Sequence, residues 1–279
     1  MTLTAPPQPP AGPPTPPAPR PARRTSSRVV AILAIVLGAA LILGTLLSAV
    51  FSVVRAASLR TETFTADAAG VTELDVDISG ASLEIRYGDE ASLTVDGAAR
   101  DWSFERADDA LRVTNDRSWW SGWRWGGTDE AVLILPRSFE RVGLDADLQV
   151  SGGTLTAAGT FGDLDLELAA GSIDVSGSAQ ELTVDGSAGR IVLDLADVDS
   201  ADLTLSAGAL TGALTGDAPQ EVSADVSAGR LDLTLPDVSY AVTSDVSAGE
   251  FRNDLTVDPA SRHRVDAQVS AGAVLLGAG

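Results

Sequence analysis

A short phrase recurs seven times between residues 149 and 274, reading polar, apolar, usually Ser, small, Gly, any residue, apolar. Its glycines are Gly153, Gly171, Gly189, Gly208, Gly229, Gly249 and Gly272. Spacings of 18 to 23 residues between these glycines are typical of proteins built by stacking one repeated unit on the next. A unit this short cannot bury its own apolar face, so its neighbours must cover it. The repeat therefore predicts an extended scaffold rather than a compact mixed fold.

Apolar and polar residues alternate on both sides of each Ser-Ala-Gly corner, as residues 231–235 show with Leu-Asp-Leu-Thr-Leu. This period of two is the pattern of a half-buried β-strand. An eighth copy precedes the others at residues 77–83, with Ala81 in the glycine column. If coils stack in chain order, Leu231 should lie between Leu210 and Phe251, which occupy the same position of their repeats.

The predicted fold class is all-β, a parallel β-solenoid (β-helix) with coils of about 20 residues, preceded by one transmembrane helix and a disordered proline-rich tail. Successive coils would pair at about 4.8 Å. The alternative is an antiparallel sandwich whose turns share the Ser-Ala-Gly sequence. Hairpins would use two kinds of turn in alternation, whereas here a single kind of turn recurs at one period.

Two phrases resemble a known group of proteins. Residues 233–236 (Leu-Thr-Leu-Pro) are followed by residues 242–249 (Val-Thr-Ser-Asp-Val-Ser-Ala-Gly), and residues 134–136 (Ile-Leu-Pro) lead into residues 148–153 (Leu-Gln-Val-Ser-Gly-Gly). Across residues 60–279 the chain resembles the bacterial β-strand-repeat domains described as "putative adhesins" of unknown function. The resemblance implies a membrane-tethered or exported β-solenoid, sometimes accompanying envelope-stress membrane proteins, and it carries no catalytic residue to this chain.

Residues 29–54 contain no charged side chain, which is enough apolar length to cross a bilayer as a helix. More positive charge precedes this span than follows it; the arginines are Arg20, Arg23, Arg24 and Arg28 before it, and Arg55 and Arg60 after it. This asymmetry favours a cytoplasmic N-terminus and an extracytoplasmic domain at residues 55–279, in the cell membrane, as a single-pass protein. The alternative is a signal peptide cleaved near Ala56, but its apolar region would be unusually long.

Residues 1–28 hold ten of the 14 prolines and no acidic residue, so they predict an extended, disordered cytoplasmic tail. All 39 acidic residues of the chain follow the span, against 15 of its 19 basic ones. A domain this acidic repels nucleic acid, which we therefore exclude as a partner. The absence of cysteine excludes disulfides and thiolate metal sites, and we expect no cofactor and no metal.

Four of the five tryptophans interrupt the repeat between residues 118 and 127. The candidate interaction loop comprises Trp119, Trp120, Trp123, Arg124 and Trp125. Large aromatic side chains among Gly, Ser and Arg are typical of binding patches. The alternative is a cap that covers the N-terminal end of the solenoid.

No nucleophile, metal-ligand or phosphate-binding motif is present. The single histidine, His263, lies between two arginines and is expected to be solvated. We therefore expect a non-catalytic surface interaction or scaffold protein, similar to an adhesin. One alternative is an accessory or sensing component of an envelope-stress system; another is a carbohydrate-active β-helix enzyme.

The expected partners are the membrane itself and an unidentified envelope protein or glycan. Self-association is a further expectation, because the sequence ends on a repeat at residues 272–279 without a polar capping segment. A solenoid that ended there would leave unpaired backbone groups above an apolar interior.

Overall fold

The computed structural model describes residues 60–115 and 129–279. The predicted tail, the predicted membrane helix and the tryptophan segment lie outside the described residues. None of the helices in the described part of the chain has the length and hydropathy that crossing a bilayer requires.

The described residues form strands joined by short turns. The elements are β1 (Arg60–Thr65), β2 (Glu73–Gly88), β3 (Ser92–Gly97), a 3-10 turn (Ala99–Asp101), β4 (Trp102–Ala107), β5 (Ala110–Asn115), β6 (Asp129–Pro136), α1 (Phe139–Val142), β7 (Leu144–Leu168), β8 (Ser172–Ser178), β9 (Glu181–Gly186), β10 (Arg190–Ala196), β11 (Ser200–Leu205), β12 (Ala209–Thr215), β13 (Glu221–Val226), β14 (Arg230–Leu235), β15 (Ser239–Val246), β16 (Glu250–Asn253), β17 (Thr256–Val257), β18 (Arg264–Val269) and β19 (Ala273–Ala278).

The prediction of an all-β fold with mostly parallel strands is confirmed, and the pairing is that of a β-solenoid with two strands per coil. The first ladder contains the strands before each corner, in the order β4, β5, β2 (residues 73–78), β7 (145–150), β7 (163–168), β9, β11, β13, β18, β15. The second ladder contains the strands after each corner, in the order β1, β3, β6, β2 (81–88), β7 (153–160), β8, β10, β12, β14, β19, β16.

Inward-facing residues of successive coils stack into apolar columns between the two ladders. One column contains Leu74, Ala146, Leu164, Leu182, Ala201, Val222 and Val265, none more than 4% exposed. Burying a leucine or valine side chain contributes about 1.5–3 kcal/mol, so the stack of these columns is the main source of stability. The position of Gly186, which breaks the apolar pattern of the sequence, is filled by the side chains of Leu205 and Ile191.

The corner glycines are required because the backbones of neighbouring coils approach closely. A Cβ atom on Gly171, Gly189 or Gly208 would clash with the carbonyl oxygen of the corner glycine in the preceding coil. Those three glycines also have φ between 103° and 119°, where L side chains are strained. Gly229 lacks such a φ, yet its Cβ would still lie 3.0 Å from the Gly208 oxygen. The lack of space for a Cβ atom is therefore the common reason for glycine at this position of the repeat.

The eighth copy of the repeat is confirmed, because Ala81 pairs with Gly153. The stacking order at the ends, however, departs from the chain order. At the N-terminal end, β2 comes before β5 and β6 in the sequence, yet the coil of β5 and β6 is the outer one and β2 lies beneath it. At the C-terminal end, β18 and β19 come after β15 and β16, yet the coil of β15 and β16 is the outer one and β18 and β19 lie beneath it. The first and the last coil of the described chain are thus both held between neighbours.

Two expectations about the C-terminal end are therefore wrong. Leu231 pairs with Leu210 and Val274, not with Phe251, which lies on the far side of Val274. Residues 272–279 do not form a free end either, because β19 pairs with β14 on one side and with β16 on the other. The repeat pattern cannot reveal this exchange, because the residues at equivalent positions of two coils are interchangeable apolar side chains.

Candidate interaction surfaces

The tryptophan segment lies in the sequence between β5 and β6, the outermost parallel strands at the N-terminal end of the stack. The predicted residues Trp119, Trp120, Trp123, Arg124 and Trp125 lie outside the described residues, whereas both flanks are described. Asn115 ends β5 and Asp129 begins β6, at the place where other coils have a Ser-Ala-Gly corner. Asn115 and Asp129 are the two buried residues with polar side chains among those that the structure describes, and each is 6% exposed.

The amide side chain of Asn115 pairs with the backbone of the neighbouring coil. Its Oδ1 atom accepts a hydrogen bond from the backbone N–H of Ser79 at 2.7 Å, and its Nδ2 atom donates to the Ser79 carbonyl at 3.1 Å. A single side chain thus satisfies both backbone groups at the corner of β2. Asn115 therefore ties the end of β5 to the corner of β2.

Asp129 fixes the other flank. Its Oδ1 atom accepts a hydrogen bond from the backbone N–H of Ala98 at 3.1 Å. Gly97 allows this approach, because a Cβ atom at that position would collide with the Asp129 carboxylate. Both flanks of the insertion therefore make hydrogen bonds to neighbouring strands of the stack. No motif in the sequence marks Asn115 and Asp129 as structural anchors.

Antiparallel strands cover this end of the stack. β4 lies on β5, and β3 lies on β6 with β1 beyond it. Trp102 and Phe104 of β4 are 5% and 8% exposed, and Trp102 stands opposite Asn115. The indole N–H of Trp102 has no hydrogen-bond partner among the described residues. Among the described residues, β4 therefore covers the first coil, and its Trp102 is the one tryptophan outside the tryptophan segment.

The outward face of the first ladder is strongly acidic. Its three rows contain Glu73, Asp145, Asp163, Glu181 and Glu221; Glu105, Asp75, Asp147, Asp165, Asp202 and Asp266; and Asp77, Glu167, Asp185, Asp225 and Asp245. The arginines in the same rows are Arg112 and Arg264, which form ion pairs with Asp75 at 2.7 Å and with Glu221 at 3.4 Å. We call these rows the acidic face.

Carboxylates repel one another along this face. Burial raises the pKa of Asp147 above its usual value, and the nearby carboxylates of Asp75 and Asp165 raise it further. A smaller contribution of the same sign comes from Asp77, while a hydrogen bond with Gln149 acts in the opposite direction. Like charges opposite each other destabilise a sheet, so the acidic face is maintained at some cost in stability.

The outward face of the second ladder is different. It alternates Thr, Ser and Ala with charges of both signs; the acids are Glu84, Asp96, Glu130, Asp174, Asp194, Asp232 and Glu250, and the bases are Arg86, Arg190, Arg230 and Arg252. A shallow groove near β6 and β2 is lined by Thr154, Thr156, Glu84 and Glu130. We call this surface the mixed face.

No model of a protein family matches the sequence, and no curated protein matches it either. A crystal structure described as a "putative adhesin" from Bacteroides fragilis matches 78% of this chain and 96% of its own, with a TM-score of 0.50 and 15% identity. The two chains share their fold. A "putative adhesin" from Parabacteroides distasonis (TM-score 0.40, 12% identity, 77% of this chain and 96% of that one) and a "putative cell adhesion protein" from Clostridium sporogenes (TM-score 0.34, 11% identity, 79% and 100%) also match.

His263, which was expected to be solvated, is partly exposed and also has protein partners. Its Nδ1 atom lies 2.8 Å from the carbonyl oxygen of Pro219, and its Nε2 atom accepts a hydrogen bond from Nε of Arg262 at 3.2 Å. The ring also packs edge-on against Tyr240, with 5.9 Å between the centroids. These contacts give His263 a structural role in the turn before β18. Among residues 60–115 and 129–279, no group of three or more His, Asp or Glu side chains is arranged to hold a metal ion.

The C-terminal end is covered on one side only. Tyr240 is fully buried, and Leu255, in the segment that follows β16, is 7% exposed. Farther along β15, the inward-facing Val246 is 40% exposed and Ser244 is also exposed. From Ala241 onward, β15 has a strand neighbour on one side only within the described residues. Part of the solenoid interior is therefore open at this end.

Proposed function

We propose that the chain is a non-catalytic interaction protein of the bacterial cell envelope, anchored once in the membrane by residues 29–54. In this proposal residues 55–279 form a rigid extracytoplasmic scaffold, and the acidic face binds an envelope protein through a basic surface. The fold shared with a bacterial adhesin-like structure supports the scaffold part of the proposal.

The observation that carries the proposal is the difference between the two outward faces. Both faces must be soluble, and the mixed face achieves solubility with Thr, Ser and charges of both signs, seven acids and four arginines. Solubility therefore does not require the many carboxylates of the acidic face, whose neighbouring members repel one another and destabilise the sheet. A basic partner would relieve that repulsion, and it would be attracted over a distance of about one Debye length, ~8–10 Å at ordinary salt.

Matched triple substitutions test the acidic face. In the full-length chain in nanodiscs of neutral lipid, Asp165, Asp185 and Asp202 are replaced by Asn on the acidic face. The control replaces Asp174, Asp194 and Asp232 by Asn on the mixed face, so that both variants lose the same charge. All six side chains are exposed, and the readout is the affinity for a soluble lysine-rich peptide at several salt concentrations.

We expect the acidic-face variant to lose several-fold in affinity and much of the salt dependence, whereas the control stays close to the parent chain. Equal losses in the two variants would mean that only net charge matters, and the proposed binding face would be wrong. Cleavage of glycans by the purified chain in an activity screen would contradict the non-catalytic role.

The membrane part of the proposal is tested separately, on intact cells. Protease added outside should degrade residues 56–279 and spare the proline-rich tail. Release of the domain into the medium as a cleaved product would contradict the anchor, and so would its protection from protease.

A further inference from the structure

We propose that the open C-terminal end binds a second copy of this chain, β15 against β15, around a two-fold axis at Ser244. The interface goes beyond the proposed function, since it involves neither the acidic face nor the membrane anchor. It also replaces residues 272–279 as the surface for self-association.

Among the described residues, one edge of β15 has no strand partner from Ala241 onward. Ala241 and Ser247 donate their N–H groups to His263 and Val269 on the side of β18, at 2.8 and 2.9 Å. Because backbone groups alternate in direction along a strand, the N–H and C=O groups of Val242, Ser244 and Val246 point the other way. Within the described residues no strand pairs with that side of residues 241–246.

The side chains at the same three positions face the interior of the solenoid. Val242, Ser244 and Val246 pair with Val265, Ala267 and Val269 of the next coil, all three of which are buried. In β15 the two valines are incompletely covered and the serine is exposed. Another strand on this edge would therefore satisfy free backbone groups and cover apolar side chains in one step.

The order Val-Thr-Ser-Asp-Val at residues 242–246 is complementary to itself in an antiparallel pair centred on Ser244. Each Val242 then stands opposite Val246 of the second copy, and Ser244 stands opposite Ser244. These pairs would exchange the free N–H and C=O groups. On the outer surface Thr243 meets Asp245, so no carboxylate stands opposite another carboxylate. A shift of the centre by one residue would place valine opposite serine.

Head-to-tail stacking of copies would require an open apolar coil at the other end of the molecule. There β5 is covered by β4, and β6 is covered by β3, so β15 has no matching open coil to add to. A symmetric pair, in which the same surface is used twice and the assembly closes, is the remaining way for two copies to meet at this end.

A single cysteine tests the axis directly, because the chain has no cysteine of its own. In the full-length chain, extracted in mild detergent, Ser244→Cys places two thiols opposite each other with Cα atoms about 5.5 Å apart, a separation that a disulfide spans. Thr243→Cys is the matched control, since it is adjacent and exposed but would stand opposite Asp245. Mild oxidation is followed by mass spectrometry of the cross-linked products.

We expect Ser244→Cys to form a disulfide-linked pair of this chain about tenfold faster than Thr243→Cys, because pairing raises the local thiol concentration. The double variant Thr243→Cys with Asp245→Cys should recover the fast rate. Higher salt should speed the reaction, since it screens the repulsion between two acidic molecules. Equal rates for the two single variants, no cross-link at high protein concentration, or a cross-link to a different polypeptide would each overturn the proposal.

Discussion

Leu111, in the outermost parallel strand at the N-terminal end of the stack, is fully buried, whereas Val246, in the outermost strand at the C-terminal end, is 40% exposed. Both residues face the interior, and both pair with a buried residue of the next coil. The two ends differ in whether a further strand covers the outermost parallel strand. β4 covers β5, while residues 241–246 of β15 have no strand over them in the described part of the chain.

The two ends also share a feature. At the N-terminal end, the coil of β2 lies one position inside the stack, and the next coil in sequence, that of β5 and β6, lies outside it. At the C-terminal end, the coil of β18 and β19 lies one position inside, and the preceding coil, that of β15 and β16, lies outside it. A terminal coil paired on both sides cannot peel away without breaking two interfaces, so this exchange protects against fraying. One end adds antiparallel strands to that protection and the other does not. The open end is therefore the one suited to binding.

The comparison predicts its largest effect from a charge placed at an inward-facing position of the outermost parallel strand at each end. Leu111→Asp should lower the free energy of unfolding by about 3–5 kcal/mol, since a carboxylate is buried without a partner. Val246→Asp should cost less than about 1 kcal/mol, because water reaches that side chain. Urea unfolding measures both.

Leu231→Asp and Asp232→Leu calibrate that experiment in the middle of the stack. Leu231 is fully buried between Leu210 and Val274, so its replacement should match the cost at Leu111. Asp232 is exposed, and its replacement should leave stability nearly unchanged. A Val246→Asp cost as large as that of Leu231→Asp would show that the C-terminal end is closed.

The corner glycines give the next largest effect. Gly189→Ala should cost about 2–4 kcal/mol, because the Cβ atom meets the Gly171 backbone and φ is +119° in a coil held on both sides. Gly249→Ala also brings a Cβ atom against the neighbouring glycine, Gly272. The coil of Gly249 is outermost, so it can move outward, and the cost should be nearer 1 kcal/mol. Thermal unfolding compares the two variants, and equal losses would contradict a movable end coil.

The repeats were enough to predict the parallel coils, the period of two and the position of the eighth copy. Those properties follow from local alternation and from one glycine per coil. The acidic surface was visible as net charge, but its restriction to one ladder was not. Assigning carboxylates such as Asp165 and Asp174 to different faces requires the position of each strand relative to its corner, which the structure provides.

The exchange of coils at the ends could not be predicted, because Phe251 and Val274 are equally suitable neighbours for Leu231 in an apolar column. The anchoring role of Asn115 was also hidden, since an asparagine at the end of a strand usually indicates a turn. A weak signal did exist. The Ser-Ala-Gly corner sequence is absent between residues 115 and 129, which makes the polar side chains on either side candidates to pair with the backbone of the neighbouring coil.

Two asparagines compare polar contacts at the closed and the open end. Asn115→Ala should cost about 1–3 kcal/mol, since it leaves the buried N–H and C=O groups of Ser79 unpaired. Asn253 accepts one hydrogen bond from the N–H of Leu255 at 3.0 Å and is partly exposed. Water can replace that contact, so Asn253→Ala should cost about 0.5–1 kcal/mol. Chemical unfolding measures the difference, and a larger loss at Asn253 would reverse the proposed contrast between the ends.

The smallest effect at neutral pH concerns the covered side of the C-terminal end. Burial raises the pKa of Tyr240 to about 12, and its hydroxyl donates to the Pro236 carbonyl at 3.0 Å. The neutral phenol is therefore the form that the folded state favours. Tyr240→Phe should cost about 1 kcal/mol near pH 8, the value of one hydrogen bond. The difference in unfolding free energy between the parent chain and Tyr240→Phe should disappear as the pH rises from 10 through about 12, because Tyr240 ionises more easily in the unfolded chain than in the folded one.

The chain contains no lysine or cysteine, so tyrosines are its main side chains that titrate in that interval. Tyr87→Phe is the control, because burial also raises the pKa of Tyr87, which lies in β2 away from the open end. Unfolding by urea at pH 8, 10 and 11, with tyrosinate absorbance recorded in parallel, would follow both variants. If Tyr240 ionised near pH 10 in the folded chain, the segment from Asp254 to Arg264 would not exclude water from it. The open region would then extend across the whole C-terminal coil, and the interface centred on Ser244 would have to be larger than β15 alone.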